Sequence, residues 1–365
     1  MAASDLSTRA AAAGGLAHEL STPALLVDLD IFEANVAAMS ALLRGSGKTV
    51  RPHIKTHRTP ELARRQLVEG AVGVTCATVG EAEAMVAAGI RDVLVANEVV
   101  DPRKLVRLAG LAREARVGVA VDAQEPVASL SEAASAAGVS VDVLIDVDVV
   151  LHRCGVTSAG DAARLAAAID RAPGVRLRGL MGYEGRMRQG IDHRAELIAG
   201  AYQVLSEARQ AVEQAGFPVE VVSAAGTSTL VEAIADPTIT EIQAGVYAIM
   251  EPELLDIGLP FQCAAAVRGT VISRRAGHVV LDVGRRAVGM EYGPPRPIGI
   301  EATDIMVSDE HVRISVAGEA PPLGAQLDLV PGQIRTTFNL HDDVWLSRGG
   351  HIVDRWPISA RGMSR

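Results

Sequence analysis

The residues most suited to chemistry in this chain stand together at Arg51-Pro52-His53-Ile54-Lys55-Thr56-His57. A run fit for a buried strand ends there in a cluster of polar groups, and its lysine is surrounded by potential cations. Partial desolvation and neighbouring positive charge both lower a lysine pKa. Only the neutral amine attacks an aldehyde, so Lys55 is a candidate Schiff-base lysine. The plainer reading is a surface lysine in a strand-to-helix loop, and the elements around it must decide.

A short strand at 22–29 and a helix at 30–43, with Asp30 as expected N-cap, open the ordered part of the chain. Then a strand–helix unit repeats. Strands are expected at 49–55, 73–79, 92–97, 116–121, 140–148, 175–183, 219–225 and 239–244. Each is a nearly continuous apolar run, as strands buried on both faces in a parallel sheet should be. Eight such units fit a (β/α)8 barrel of the TIM type, and no GxGxxG follows the first strand to favour a dinucleotide fold. From about residue 256 short strands separated by Gly, Pro and Asp turns replace the helices, which reads as an all-β domain. The expected organisation is therefore a flexible arm at 1–21, a barrel at 22–255 and a β domain at 256–365, with the boundary near 251–260.

Barrel active sites lie at the C-terminal ends of the strands. Those positions hold Lys55-Thr56-His57, Thr78, Asn97, Asp122, Arg153, Tyr183, Gly226-Thr227 and Gly245-Val246-Tyr247. The small residues at 223–229 run into a helix and leave backbone N–H groups open to a phosphate. The Gly245-Val246 turn could form the other side of the same cup, although either loop alone would pass for an ordinary helix start. An aldehyde cofactor with a phosphate handle, held by a lysine on the first strand, is pyridoxal phosphate.

Bulk properties exclude several classes. With 48% hydrophobic and 22% charged residues the chain can bury a sizeable core. A net charge of -9 gives no electrostatic case for nucleic acid or an anionic membrane as partner. Cys76, Cys154 and Cys263 form neither a disulfide framework nor a zinc knuckle. The N-terminal stretch has Asp5 and no apolar core of a secretory signal, so a cytoplasmic protein is expected.

Over nearly its whole length the chain resembles the D-threonine aldolase / D-serine dehydratase family of pyridoxal phosphate enzymes. The resemblance rests on 51–57, Arg153-Cys154-Gly155-Val156, Tyr183-Glu184-Gly185, Gly226-Thr227, Gly245-Val246-Tyr247, Asp309-Glu310-His311 and 356–362. It implies an alanine racemase-type barrel followed by a β domain, and a homodimer. It implies that Lys55 carries the cofactor and handles the Cα proton. Arg153 would lie by the cofactor's phenolic oxygen and Tyr183 by its pyridine nitrogen, and Gly226, Thr227, Gly245 and Val246 would hold the phosphate.

The departures from the family pattern bear on the reaction. Members that cleave or dehydrate β-hydroxy amino acids carry a divalent metal, with ligands in a His-x-Cys or His-x-Asp pattern in the β domain. Here Gln333 and Arg335 stand at those positions, and Arg186 replaces the histidine after Tyr183-Glu184-Gly185. Guanidinium cannot ligate a cation and a neutral amide is a poor ligand, so no metal is expected. The leading expectation is a metal-independent lyase of aldolase or dehydratase type acting on a D- or β-hydroxy amino acid, with Arg186, Gln333 and Arg335 receiving an acidic substrate. A racemase or epimerase is the alternative; it would need an acid/base on the cofactor's far face, for which Tyr247 or His311 could be tried. A non-catalytic cofactor carrier is less consistent with the retained β domain.

Overall fold

A computed structural model describes residues 20–364, so all but the last two residues of the expected arm at 1–21 lie outside the described residues. Two compact units divide the chain. One holds Met39–Lys55 and Leu62–Gly245, with the residues from Gly362 on; the other holds the residues up to Ala38, Thr56–Glu61 and Val246–Arg361.

The described chain opens with strand β1 (Ala24–Asp28) and helix α1 (Leu29–Leu43). Asp28, not Asp30, caps this helix: its Oδ1 accepts the N–H groups of Asp30 and Ile31 at 2.9 and 3.1 Å. The expected cap lies two residues too late because Leu29 already turns with the helix.

The larger unit is the barrel. Its strands are β2 (Thr49–Val50), β3 (Val74–Cys76), β4 (Asp92–Glu98), β5 (Arg116–Val121), β6 (Val141–Asp146), β7 (Val175–Met181), β8 (Val221–Ala224) and β9 (Glu241–Ile242). They are all parallel, in the order β2-β9-β8-β7-β6-β5-β4-β3. A parallel bridge between His53 and Thr75 closes the ring, helped by Thr75 N–H to the Pro52 carbonyl at 2.9 Å and Val72 N–H to the Val50 carbonyl at 3.0 Å. Between the strands run α3 (Val79–Ala87), α4 (Pro102–Leu111), α5 (Gln124–Ala137), α6 (Ala159–Asp170), α7 (Arg194–Gln214) and α8 (Leu230–Ala235), with α2 (Pro60–Val68) before them. Pro102 stands in the first turn of α4 behind its cap Asp101, where a missing N–H costs nothing.

The strand expected at 49–55 is regular only over its first two residues. Pro52 has no N–H to give a ladder, and Ile54–Thr56 turns into a short 3-10 helix that carries Lys55. The strand expected at 239–244 is likewise only two residues long.

The N-terminal part of the barrel lumen is polar. Arg51 is fully buried, donating Nε to Glu241 at 2.9 Å and Nη1 to Asp92 at 2.6 Å. Burial opposes its charge, but the two carboxylates outweigh it and hold its pKa above the ordinary value. Gly73 leaves this side chain its room, since a Cβ there would stand 2.2 Å from Arg51 Nη1. Ser223 donates to the other oxygen of Glu241 at 2.7 Å. An apolar cluster of Leu94, Ala120, Leu144 and Met181 joins four successive strands, β4 to β7.

The other unit holds a nine-stranded sheet of β1, β10 (Ala265–Arg275), β11 (His278–Leu281), β12 (Arg296–Pro297), β13 (Ala302–Val307), β14 (Val312–Val316), β15 (Gln326–Val330), β16 (Asp343–Arg348) and β17 (His351–Pro357). β1 lies antiparallel to β10 and parallel to β16, so it belongs to this sheet, whereas the sequence-based range 22–255 groups it with the barrel. Leu20, Ala24 and Leu26 pack together against Trp345 and Ile352, and that shared apolar surface recruits the strand. One helix interrupts the expected all-β texture: α9 (Ile334–Leu340), which buries Ile334 and Phe338, four residues apart on one face.

Candidate active site

The short turn at Ile54–Thr56 sets Lys55 at the end of the first barrel strand. Ile54 is wholly buried and anchors the turn, while Lys55 is half-buried. Its Nζ stands 5.8 Å from the centroid of the Tyr183 ring. Tyr183 comes two residues after β7, and a Cβ on Gly226, two residues after β8, would approach its ring to 3.4 Å. The barrel thus gathers an amine, a phenol and an open glycine position around one aromatic ring. Arg51, expected among the groups crowding Lys55, instead turns toward Asp92 at the start of β4, the opposite end of the strands. A two-residue alternation within a strand cannot show this; only the partners Glu241 and Asp92 do.

The loop after β8 is held in an unusual shape. Ala225 has φ 68°, a left-handed conformation that costs a non-glycine residue about 1 kcal/mol or more. Gly226 N–H donates to Thr229 Oγ1 at 3.1 Å, so this glycine offers a ligand space rather than a donor. The Thr229 hydroxyl in turn donates to Glu184, a fully buried carboxyl that also accepts from Tyr202 at 3.3 Å. Thr227 and Ser228 are nearly buried in the turn that follows. Gly245 is buried three residues after β9. Val246 belongs to the other unit, in a 3-10 turn with Tyr247, whose ring packs against Phe261 at 5.5 Å.

Beside Asp122 and Arg153, two carboxylates that sequence reasoning passed over, Glu98 and Asp146, sit where β4 and β6 end. Asp146, the last residue of β6, is 5% exposed. Burial first, and then the charge of Glu98, push its carboxyl up to about 8, against the opposing charge of Arg153. Asp122 accepts the N–H of Gly155 at 3.1 Å and so fastens the loop that carries Arg153. Burial and Glu98 push the Cys154 thiol up to about 11, against the charge of Arg153, so its thiolate is disfavoured. Two acidic residues ending otherwise apolar strands were the available signal, but a strand-end carboxylate reads equally well as a helix cap.

In the other unit Gln333 and Arg335 are engaged within the protein. Gln333 precedes α9, and its Oε1 accepts the hydroxyl of Thr336. The Arg335 guanidinium lies 5.6 Å from the Tyr292 ring centroid, donates to the Tyr292 hydroxyl at 2.8 Å, and pairs with no carboxylate among the described residues. Glu310, a conceivable partner for it, faces Arg286 at 3.3 Å. His341 Nε2 sits 2.7 Å from the Ala287 carbonyl, and His311 is exposed. Among the described residues no group of three or more His, Cys, Asp and Glu could hold a metal ion. A guanidinium and an occupied amide do not fit the ligand shell of a divalent cation.

The barrel residues do fit pyridoxal phosphate. The donor set comprises an amine at a strand end, a phenol beneath it, a glycine whose Cβ position is open, and a loop of small residues beside it. The chain matches the alanine racemase N-terminal domain over residues 27–251 and the serine dehydratase domain over residues 264–346. It is 39% identical to a D-threonine aldolase of Arthrobacter sp, covering 95% of this chain and 94% of that one. It is 34% identical to a 3-hydroxy-D-aspartate aldolase of Paracoccus denitrificans (strain Pd 1222), covering 94% and 93%. The crystal structure of a D-threonine aldolase from Filomicrobium marinum superposes with a TM-score of 0.92 at 36% identity, covering 97% of this chain and all of that one.

The shifted carboxyl makes stability depend on pH. Asp146 binds its proton more tightly folded than unfolded, so its contribution is full below the unfolded value near 3.8 and is lost as pH rises toward about 8. Asp146→Asn mimics the protonated form and should flatten this loss. Urea denaturation of both proteins at pH 5 and pH 8.5 checks it: the variant should gain stability on the parent at the higher pH, and an unchanged difference would count against it.

Proposed function

This chain belongs to the pyridoxal phosphate family that joins an alanine racemase-type barrel to a serine dehydratase domain, and from that premise we propose that it cleaves an acidic β-hydroxy D-amino acid without a metal. It is a pyridoxal phosphate-dependent lyase. The observation that carries the assignment of its centre is Lys55 Nζ standing over the Tyr183 ring at the strand ends.

When bound, the cofactor supplies an aldehyde and an electron-withdrawing ring that takes up negative charge from the substrate's Cα. Lys55 would hold the cofactor through Nζ, and its amine would also serve to move a proton at the substrate's Cα. Tyr183 would offer the pyridine nitrogen a neutral partner rather than a carboxylate. Arg153 would lie by the phenolic oxygen. Gly226, Thr227, Gly245 and Val246 would receive the phosphate, with Gly226 giving room rather than a bond. Aldol cleavage breaks Cα–Cβ, and the proton lost by the β-hydroxyl is matched by one that Cα gains, so the products are glycine and an aldehyde.

Arg186, Gln333 and Arg335 are assigned to the substrate's anionic groups in place of a cation. Arginine suits a carboxylate through forked hydrogen bonds. Arg335 has no protein carboxylate to satisfy it, which supports a partner on the substrate. A hydroxyaspartate-like amino acid carries the second carboxylate this requires, as does the substrate in the name of the Paracoccus relative. No helix of the described residues is long and apolar enough to cross a membrane. We read the protein as a cytoplasmic homodimer acting on a small amino acid, in keeping with the family resemblance.

Five measurements test this reading. Borohydride reduction of the holoenzyme followed by peptide mapping should tag Lys55, and Lys55→Ala should lose the cofactor's absorbance and all activity. A tag on Lys48, whose Nζ is held by the carbonyls of Asp236 and Ile239, or on Lys104 would end the assignment. Activity should survive exhaustive chelation, and Arg335→Ala should lower kcat/KM for an acidic substrate about 10- to 100-fold while a neutral one changes little. Restoration of a chelated enzyme by manganese or zinc, or an equal loss on both substrates, would sink the metal-free acidic reading. Sedimentation velocity should find a dimer; an active monomer at micromolar protein would contradict it.

A further inference from the structure

Glu184 lies beside Tyr183 in sequence, yet its side chain is fully buried and turned away from solvent. An isolated carboxyl in that position is costly, and burial does push its pKa above the ordinary value. What surrounds it is the loop after β8. The hydroxyl of Thr229 donates to its Oε1, and Tyr202 donates to the same oxygen at 3.3 Å. Thr229 Oγ1 passes the support on by accepting the N–H of Gly226 at 3.1 Å, while Thr229 N–H returns to the Gly226 carbonyl at 3.3 Å. The residue so enclosed is Ala225, held at φ 68° without a glycine's freedom. From outside, Arg194 donates to the Ser228 carbonyl at 2.5 Å.

We propose that Glu184 is a positioning residue for the cofactor's phosphate: through Thr229 it holds 225–229 in the strained shape that presents Gly226 and Thr227. It touches neither substrate nor cofactor. Its role rests on the reading above that this loop receives the phosphate. A relaxed Ala225 would swing the N–H groups after it and close the space that Gly226 leaves beside the Tyr183 ring. The carboxyl's function is therefore to accept hydrogen bonds, and an amide oxygen at the same place can accept the same two hydroxyls.

The full chain, freed of cofactor and titrated back with either pyridoxal phosphate or pyridoxal, separates the steps. The parent should bind pyridoxal phosphate at least about tenfold more tightly than pyridoxal, and Thr227→Ala should erode that preference. Equal binding of the two by the parent would refute the phosphate loop itself, and the proposal with it. Given the preference, Glu184→Ala and Thr229→Val should each weaken pyridoxal phosphate about tenfold and leave pyridoxal within about twofold, while Glu184→Gln stays within about threefold of the parent for both. Thr229→Val keeps the test decisive should Glu184→Ala fail to fold. Parent-like affinity in Thr229→Val, or an equal loss for both ligands, would overturn the proposal and leave the phosphate loop standing.

Discussion

Closure of the parallel sheet between 50–53 and 72–75 is the constraint on which the site depends. Once Val50, Pro52 and His53 pair with Val72 and Thr75, every strand of the ring runs the same way, so every strand's C-terminal residue meets one rim. Residues far apart in sequence then become neighbours: Lys55, Tyr183 and Gly226 around one aromatic ring, and Glu98, Asp146 and Arg153 within each other's fields. Pro52 makes the closing strand short. It gives no N–H, but its carbonyl still accepts from Thr75 and the His53 N–H reaches the Ala244 carbonyl before the chain turns out to present the lysine.

The same ring separates two kinds of charge. At the start of the strands Arg51 is matched by Glu241 and Asp92 and is structural; breaking such a buried pair from one side leaves an uncompensated charge, which costs about 3–5 kcal/mol. At the other end charges are left less evenly balanced. Burial and the charge of Glu98 hold the Asp146 carboxyl above its ordinary range, and the lysine stands over a tyrosine ring. Imbalance of this kind is unfavourable for stability alone, and it is what a site that receives a charged cofactor and substrate needs. The carboxyl of Glu184 falls between the two cases, buried for structure but spent on one loop.

In the β-domain unit the replacements at Gln333 and Arg335 are not vacant substitutions. Thr336 and Tyr292 occupy their polar atoms and faces, so these side chains are built into local networks instead of filling a metal ligand's place by default. A helix at Ile334–Leu340 organises both, set by Ile334 and Phe338 on one face and by the Ile334 N–H donating to Glu251 at 3.0 Å.

Much of this was legible in the sequence because it depends on local rules. Eight apolar runs separated by helical periods implied a barrel, and barrel geometry names Lys55, Tyr183, Gly226 and Gly245 as rim residues. The amino-acid types at Gln333 and Arg335, a neutral amide and a guanidinium, were by themselves the reason to expect no metal at these positions. Other features depend on partners across the chain, which periodicity does not carry. Whether β1 joined the barrel or the nine-stranded sheet was decided by the apolar contact of Ala24 and Leu26 with Trp345 and Ile352. Arg51 went to the start of the strands because Glu241 and Asp92 wait there, although its sequence neighbours pointed to Lys55. Asp146 and Glu184 read as an unremarkable strand end and a variable motif position; only burial, a property of the packed chain, turned one into a proton-holding carboxyl and the other into the support of a loop.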